Sequence, residues 1–206
     1  MLSPYPSLSA TCFHLVRHGA HGDLGRVLSG RAGTAALTQA GREQVRRLAE
    51  CGVLGRLNAI HASPRVRTQE TGAILGAAHG VPCDRIEALD EIDFGAWTGA
   101  AFAELEGDPD WRAWNERRSV ARTPGGETMR QAVGRAVSHL AASAQAMPGA
   151  VIACVTHSDI IRGVIAHYLG LNLDDILRFD IDPGSVSTIL LDGQGARATR
   201  VNMVPA

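Results

Sequence analysis

No stretch of the 206-residue chain approaches the roughly 18 apolar residues that a helix needs to cross a bilayer. Residues Met1–Ala10 also lack the basic and apolar regions of a secretory leader, so a cytoplasmic protein with no membrane partner is expected. Charge of one sign is missing too: 20 Lys and Arg stand against 21 Asp and Glu, a net charge of -1. A balance this close to neutral gives no electrostatic footprint for nucleic acid. The cysteines are few and scattered, at Cys12, Cys51, Cys83 and Cys154, without the paired spacing of a metal site. Cys12 and Cys154 fall in apolar runs, where buried free thiols are the default expectation. No internal repeat or linker divides the chain. One domain over residues 1–206 is expected, with 45% apolar composition sufficient for a core of its own.

What is present is an alternation of short apolar runs and helical stretches. Runs of strand length occur at Cys12–Val16, Ala59–Ala62, Cys83–Leu89, Val151–Val155 and Val186–Leu191, with an edge strand at Arg197–Val204. Between them lie Gln39–Glu50 behind an N-cap at Thr38, a helix opening after Ser63 and running towards His79, and a long amphipathic helix from Thr128 to about Gln145. Asp159–Leu169 and a short piece at Asp174–Phe179 complete the set. Residues 1–10 read as a loose lead-in, and Ala20–Ala36 as a polar, glycine-rich loop. An insertion at about 100–126 breaks the alternation. It is helical but interrupted by Pro109 and Pro124, and its Trp111 and Trp114 read either as part of a lid or as core anchors.

Arg17, His18 and Gly19 stand where the first strand ends, the position at which α/β sheets place ligand sites. A neutral imidazole can attack phosphorus and carry the phosphoryl group covalently. The guanidinium of Arg17 offers a planar fork to phosphate oxygens, and Gly19 lets the backbone turn or come close to a ligand. A second histidine, His157, ends the Val151–Val155 strand just before a helix, so two parallel strands can bring both rings to one crevice. The helix after Ser63 offers unpaired amides to an anion, and Arg65 and Arg67 compete to add a charge there. Three acids in four residues, Asp90, Glu91 and Asp93, beside Phe94 and Gly95 are unusual for a surface turn. His21, Arg26, Ser29 and Arg31 lie on the loop after Gly19, with His21 nearest to His18.

In order along the chain, these residues resemble the histidine phosphatase superfamily, which includes cofactor-dependent phosphoglycerate mutases and many small-molecule phosphatases. The resemblance runs from Leu15 to about Ile189. Arg17, His18 and Gly19 match its first motif; Ser63, Pro64, Arg67 and Thr71 match the second, which decides for Arg67 over Arg65. Leu89, Glu91, Phe94, Gly95 and Trp97 match the acidic motif, and His157 with Arg162 the last. The resemblance implies a phosphoglycerate mutase-like, three-layer α/β/α sandwich with a mostly parallel sheet. It implies His18 as nucleophile, Glu91 as proton donor, and Arg17, Arg67 and His157 around the phosphate, with no cofactor and no metal. Two departures stand out. Ala20, His21 and Leu24 replace the usual Glu, Thr or Ser and later Asn, leaving His21 or Ser29 to fill in. Ser158 replaces the usual glycine and can offer amide and hydroxyl to phosphate.

The expected activity is hydrolysis of a small phosphomonoester. A phosphoglycerate mutase-type transfer is the first rival, kept alive by Arg117 and Arg118 as carboxylate ligands unless they are a solvated pair. A non-catalytic phospholigand-binding member is the second. A phosphatase of cobalamin precursor synthesis is a further candidate, because Glu91-Ile92-Asp93-Phe94-Gly95 resembles that subgroup's acidic motif. The oligomeric state stays open, a homodimer included.

Overall fold

The computed structural model describes residues 10–32 and 34–206. The lead-in expected over residues 1–10 therefore lies, Ala10 apart, outside the described residues. Six strands form one sheet: β1 (Thr11–Arg17), β2 (Ala59–Ala62), β3 (Cys83–Arg85), β4 (Val151–Thr156), β5 (Val186–Asp192) and β6 (Gly195–Met203), in the order β3-β2-β4-β1-β5-β6. The pairs β3/β2, β2/β4 and β4/β1 are parallel, whereas β5 runs antiparallel to both β1 and β6.

Successive strand residues point to opposite faces, and both faces are apolar, so two cores form. On one side Phe13, Leu15, Ile152 and Cys154 pack with Leu140 and Ile160 of α5 (Met129–Ala146) and α6 (Ser158–Leu169). On the other, Val16, Ala153 and Val155 pack with Val45 and Leu75 of α1 (Gln39–Glu50) and α2 (Val66–His79). The result is the expected three-layer α/β/α sandwich with a mostly parallel sheet.

Parallel pairing also decides where the strand ends lie. Arg17 is in register with Thr156 and Ala62 with Val155. The residues that follow each strand, His18, His157 and Ser63, therefore emerge side by side from the carboxyl edge of β1, β4 and β2.

Helix starts follow the capping residues. The Thr38 hydroxyl oxygen accepts from the Gly41 amide at 3.0 Å, and Thr128 and Gln131 form a reciprocal capping box at α5. Pro109 starts a helix rather than interrupting one. It sits in the first turn of α4 (Pro109–Glu116), capped by Asp108, where its missing amide costs nothing. The four-residue α3 (Phe102–Leu105) precedes it.

The run Cys83–Leu89 is strand only as far as Arg85. Beyond it Glu87–Leu89 tightens into a 3₁₀ turn, because the Leu89 carbonyl accepts from Thr156 Oγ1 (2.6 Å) and the Ala88 carbonyl from Arg135 (2.9 Å). These bonds draw the chain off the sheet edge and under the ends of the central strands. The short piece near residue 174 is likewise 3₁₀, over Leu173–Arg178.

Gly19 is required for a reason other than a turn or a ligand. A Cβ there would stand 2.4 Å from the Gly41 carbonyl oxygen, and one on Gly41 would stand 2.0 Å from the Ala20 oxygen. The chain after β1 thus lies backbone against backbone on the first turn of α1.

That contact makes a prediction. Gly41→Ala lowers the unfolding free energy by about 1–3 kcal/mol through forced displacement. Gly22→Ala, whose Cβ meets nothing within 4 Å, changes it by less than about 0.5 kcal/mol. Urea unfolding of the two variants checks the contrast; equal midpoints refute the close approach.

Candidate active site

His18 is 3% exposed and its ring faces that of His157, with centroids 5.3 Å apart. Its Nδ1 lies 2.9 Å from the Gly19 carbonyl oxygen and must donate to it, which leaves Nε2 as the lone-pair nitrogen. Arg67 Nε donates to that Nε2 at 3.3 Å. Burial first, then the guanidiniums of Arg67 and Arg17, hold the His18 pKa well below the usual histidine value. The ring is therefore neutral at physiological pH.

The same guanidinium reaches the second histidine. Arg67 Nη2 donates to His157 Nδ1 (3.1 Å) and to the Gly30 carbonyl (2.9 Å). His157 Nε2–H then donates to Ser63 Oγ at 2.9 Å, and the Ser63 hydroxyl to Asp90 Oδ1 at 3.1 Å. His157 is fully buried behind Arg67 rather than part of the cavity wall. Thr71 completes the cradle: its hydroxyl donates to the Arg67 carbonyl (2.8 Å) and accepts from the Gly19 amide (3.2 Å).

Glu91 faces the same cavity, with Oε1 accepting from the Ile92 amide (3.0 Å) and Oε2 3.5 Å from His157 Nδ1. Desolvation by burial, then the carboxylate of Asp159, pushes its pKa up to about 7. Its carbonyl is held from two directions, by Arg31 Nε and Arg135 Nη2, each at 2.8 Å. Glu127 bridges those two arginines, at 2.8 Å from Arg31 Nη2 and 3.1 Å from Arg135 Nε. The three acids of this stretch thus divide their work. Asp90 anchors Ser63 and Arg65, Asp93 accepts from the Gly95 amide, and Glu91 lines the cavity.

The cavity measures about 250 Å³. It brings together Arg17, His18, His21, Arg67, Glu91 and Ser158 of the expected residues. Arg17 donates to the Ile181 carbonyl (2.6 Å), and its buried Nε has no partner. The His21 ring lies 5.1 Å from that of His18, and burial lowers its pKa to about 4.

Other loop candidates do different work. Arg31 binds the acidic cluster, Arg26 caps the Gly22 carbonyl, and Arg65 pairs with Asp90 at 2.9 Å. Ser29 does line the cavity. Trp111 and Trp114 divide the two readings of the insertion: Trp114 is fully buried, Trp111 lines the cavity with Phe102. Arg118 is not solvated; it is 5% exposed and bound to Asp159 at 2.6 Å. Asp159 itself was not singled out in the sequence, although its place beside Ser158 in the first turn of α6 was a usable signal.

Among the described residues no three His, Cys, Asp or Glu side chains cluster as metal ligands, and no helix is long and apolar enough to cross a membrane.

A family model described as histidine phosphatase superfamily (branch 1) matches residues 13–204. The chain belongs to this superfamily. Within it, the chain is 30% identical over 179 residues to an acid phosphatase of Mycobacterium tuberculosis, covering 84% of this chain and 82% of the relative. It is 27% identical over 158 residues to phosphoserine phosphatase 1 of Hydrogenobacter thermophilus, covering 76% and 75%. The solved structure of Bacillus stearothermophilus YhfR superposes with a TM-score of 0.88 at 25% identity, over 95% of this chain and 98% of that one. The superfamily's phosphoglycerate mutase-like fold is thus present over nearly the whole chain.

The Glu91 carboxyl carries a measurable consequence. Its pKa is raised in the fold, so between pH 4.5 and 7 the folded chain holds a proton that the unfolded chain has lost. The stability this contributes is complete below about 4.5 and lost as pH rises through 7. Glu91→Gln removes that dependence. The unfolding free energy of wild type minus variant falls on the order of 3 kcal/mol from pH 4.5 to pH 8. Denaturant titrations at both pH values check this, and a flat difference refutes a raised carboxyl.

Proposed function

We propose that this phosphatase of the histidine phosphatase superfamily hydrolyses small-molecule phosphomonoesters through a phosphohistidine on His18. The observation that carries the reading is the neutral His18 ring, fixed by the Gly19 carbonyl, with its Nε2 lone pair held against the Arg67 guanidinium in the cavity that Glu91 also lines. In the first step Nε2 attacks phosphorus and the ester P–O bond breaks, the departing oxygen taking a proton from Glu91. In the second, water attacks phosphorus and loses a proton to the Glu91 carboxylate. The P–N bond breaks, phosphate leaves and His18 is restored.

Arg17 and Arg67 grip the phosphate, His157 acts from behind by fixing the Arg67 guanidinium, and Ser158 and His21 complete the binding set. Charge in the transition state spreads over three equatorial oxygens, and two guanidiniums supply its stabilisation, so neither metal nor cofactor takes part. A pKa near 7 suits Glu91 to both roles, acid then base. The phosphatase names of the relatives support the reaction class. Against the mutase-type rival, Arg118 is already bound to Asp159 and Arg117 is not among the residues lining the cavity. Four free cysteines fit a reducing compartment and hence a cytoplasmic enzyme.

His18→Ala abolishes phosphate release from p-nitrophenyl phosphate, by about 10³-fold or more. Release by the variant at the wild-type rate removes His18 as nucleophile. Glu91→Gln lowers kcat/KM for alkyl phosphates by about 10²–10⁴-fold but for p-nitrophenyl phosphate far less, since a nitrophenolate leaves unprotonated. Equal losses remove Glu91 as the acid. For alkyl phosphates, kcat/KM in wild type declines above about pH 7 as Glu91 loses its proton. Dialysis against EDTA leaves the rate unchanged; a loss restored by a divalent cation overturns the metal-free mechanism.

A further inference from the structure

Away from the cradle around His18, the cavity wall is partly apolar. Leu24, Val27 and Leu28 from the loop after β1 face Phe94, Phe102 and Trp111 from the acidic stretch and the insertion. The aromatic side is braced: Trp111 packs edge-on against Trp97 with centroids 5.4 Å apart, and Trp97 Nε1 donates to Asp108 at 2.8 Å.

The polar groups in this part of the wall are Asn115, Arg118 and Asp159, and they bind one another. Arg118 Nη1 donates to Asp159 Oδ2 at 2.6 Å and Nη2 to Asn115 Oδ1 at 2.9 Å. Asn115 Nδ2 donates to the Trp111 carbonyl at 2.9 Å. Asp159 Oδ1 is taken by Arg162 Nη1 at 3.2 Å. Arg118 is thus neutralised by a buried carboxylate, with its end nitrogens occupied. The end nitrogens of Arg118 are therefore not open to an incoming carboxylate, which would be buried there without a partner.

We propose that the alcohol carried by the substrate is uncharged and largely apolar, an aryl or aliphatic group, and that Asp159, by occupying Arg118, excludes esters bearing a carboxylate such as phosphoglycerate or phosphoserine. The proposal rests on the phosphatase reading above and adds the substrate class. It sets this chain apart from the relative named for phosphoserine, and it assigns Asp159 and Trp111 as specificity-determining residues.

The test uses a pair of esters matched in size and leaving-group type, 4-methylphenyl phosphate and 4-carboxyphenyl phosphate. Aryl oxygens depart with little help, so the comparison is insulated from any effect of Asp159 on Glu91. Wild type is expected to show kcat/KM at least about tenfold higher for the methyl ester, as burying a carboxylate without a partner implies. Asp159→Asn frees Arg118 and is expected to narrow or reverse that ratio by tenfold or more. Should that variant fail to fold, Trp111→Ala gives the second readout. Its ratio of kcat/KM for the methylphenyl ester over methyl phosphate, which is too small to reach the wall, falls about tenfold, and an unchanged ratio overturns the assignment of Trp111.

Equal or better turnover of the carboxyphenyl ester by wild type overturns the substrate class and leaves the phosphatase intact. So does an unchanged ratio in folded Asp159→Asn. No turnover of either ester, or turnover that persists in His18→Ala, overturns the phosphatase reading and the inference with it.

Discussion

A single buried guanidinium ties the centre together. Arg67 is 2% exposed and donates to His18, His157 and the Gly30 carbonyl from one planar group. Those partners come from the ends of β1 and β4 and from the loop that follows β1. An ammonium is a compact point charge without the fixed, widely spaced donors that such bridging needs. The chain contains no lysine, and all 20 of its basic residues are arginines, so every fixed side-chain cation has the forked form. The cost of burying Arg67 is offset in kind. Asp90, and Glu91 once it is ionised, favour its charged form.

The same charge distribution separates two chemical roles. Both imidazoles sit among guanidiniums and away from water, which removes their protons; Glu91 sits near Asp159 and away from water, which keeps its own. An imidazole without a proton and a carboxyl with one, close together at the same pH, are what the proposed two-step displacement demands. The acidic stretch does much of the positioning. Its main chain is clamped by Arg31 and Arg135, and one of its three side chains holds Ser63 against His157.

The fold was legible because the central strands are buried on both faces and read as unbroken apolar runs. The site was legible in part. His18 and His157 show as strand-end residues, and parallel pairing makes them neighbours. Arg65 and Arg67 stayed open on their own residues because the choice depends on helix phase. With the helix beginning at Val66, Arg65 falls at the cap and reaches sideways to Asp90, while Arg67 turns inward. The early end of β3 was hidden, since it depends on Thr156 and Arg135, 67 and 47 residues away from their partners. Asp159 was hidden for the same reason: its meaning depends on Arg118, 41 residues earlier in an insertion of irregular pattern.

The two stretches that line the outer part of the cavity are themselves joined. Val27 and Ala101 form an isolated bridge, the Leu28 amide donates to the Ala100 carbonyl at 2.9 Å, and the Gly99 amide donates back to Leu28 at the same distance. They behave as one jaw made from two sequence segments. Grafting a new substrate preference onto this scaffold therefore calls for transplanting both segments as a unit. A chimera that exchanges one alone inherits a mismatched seam and loses the shape it set out to borrow.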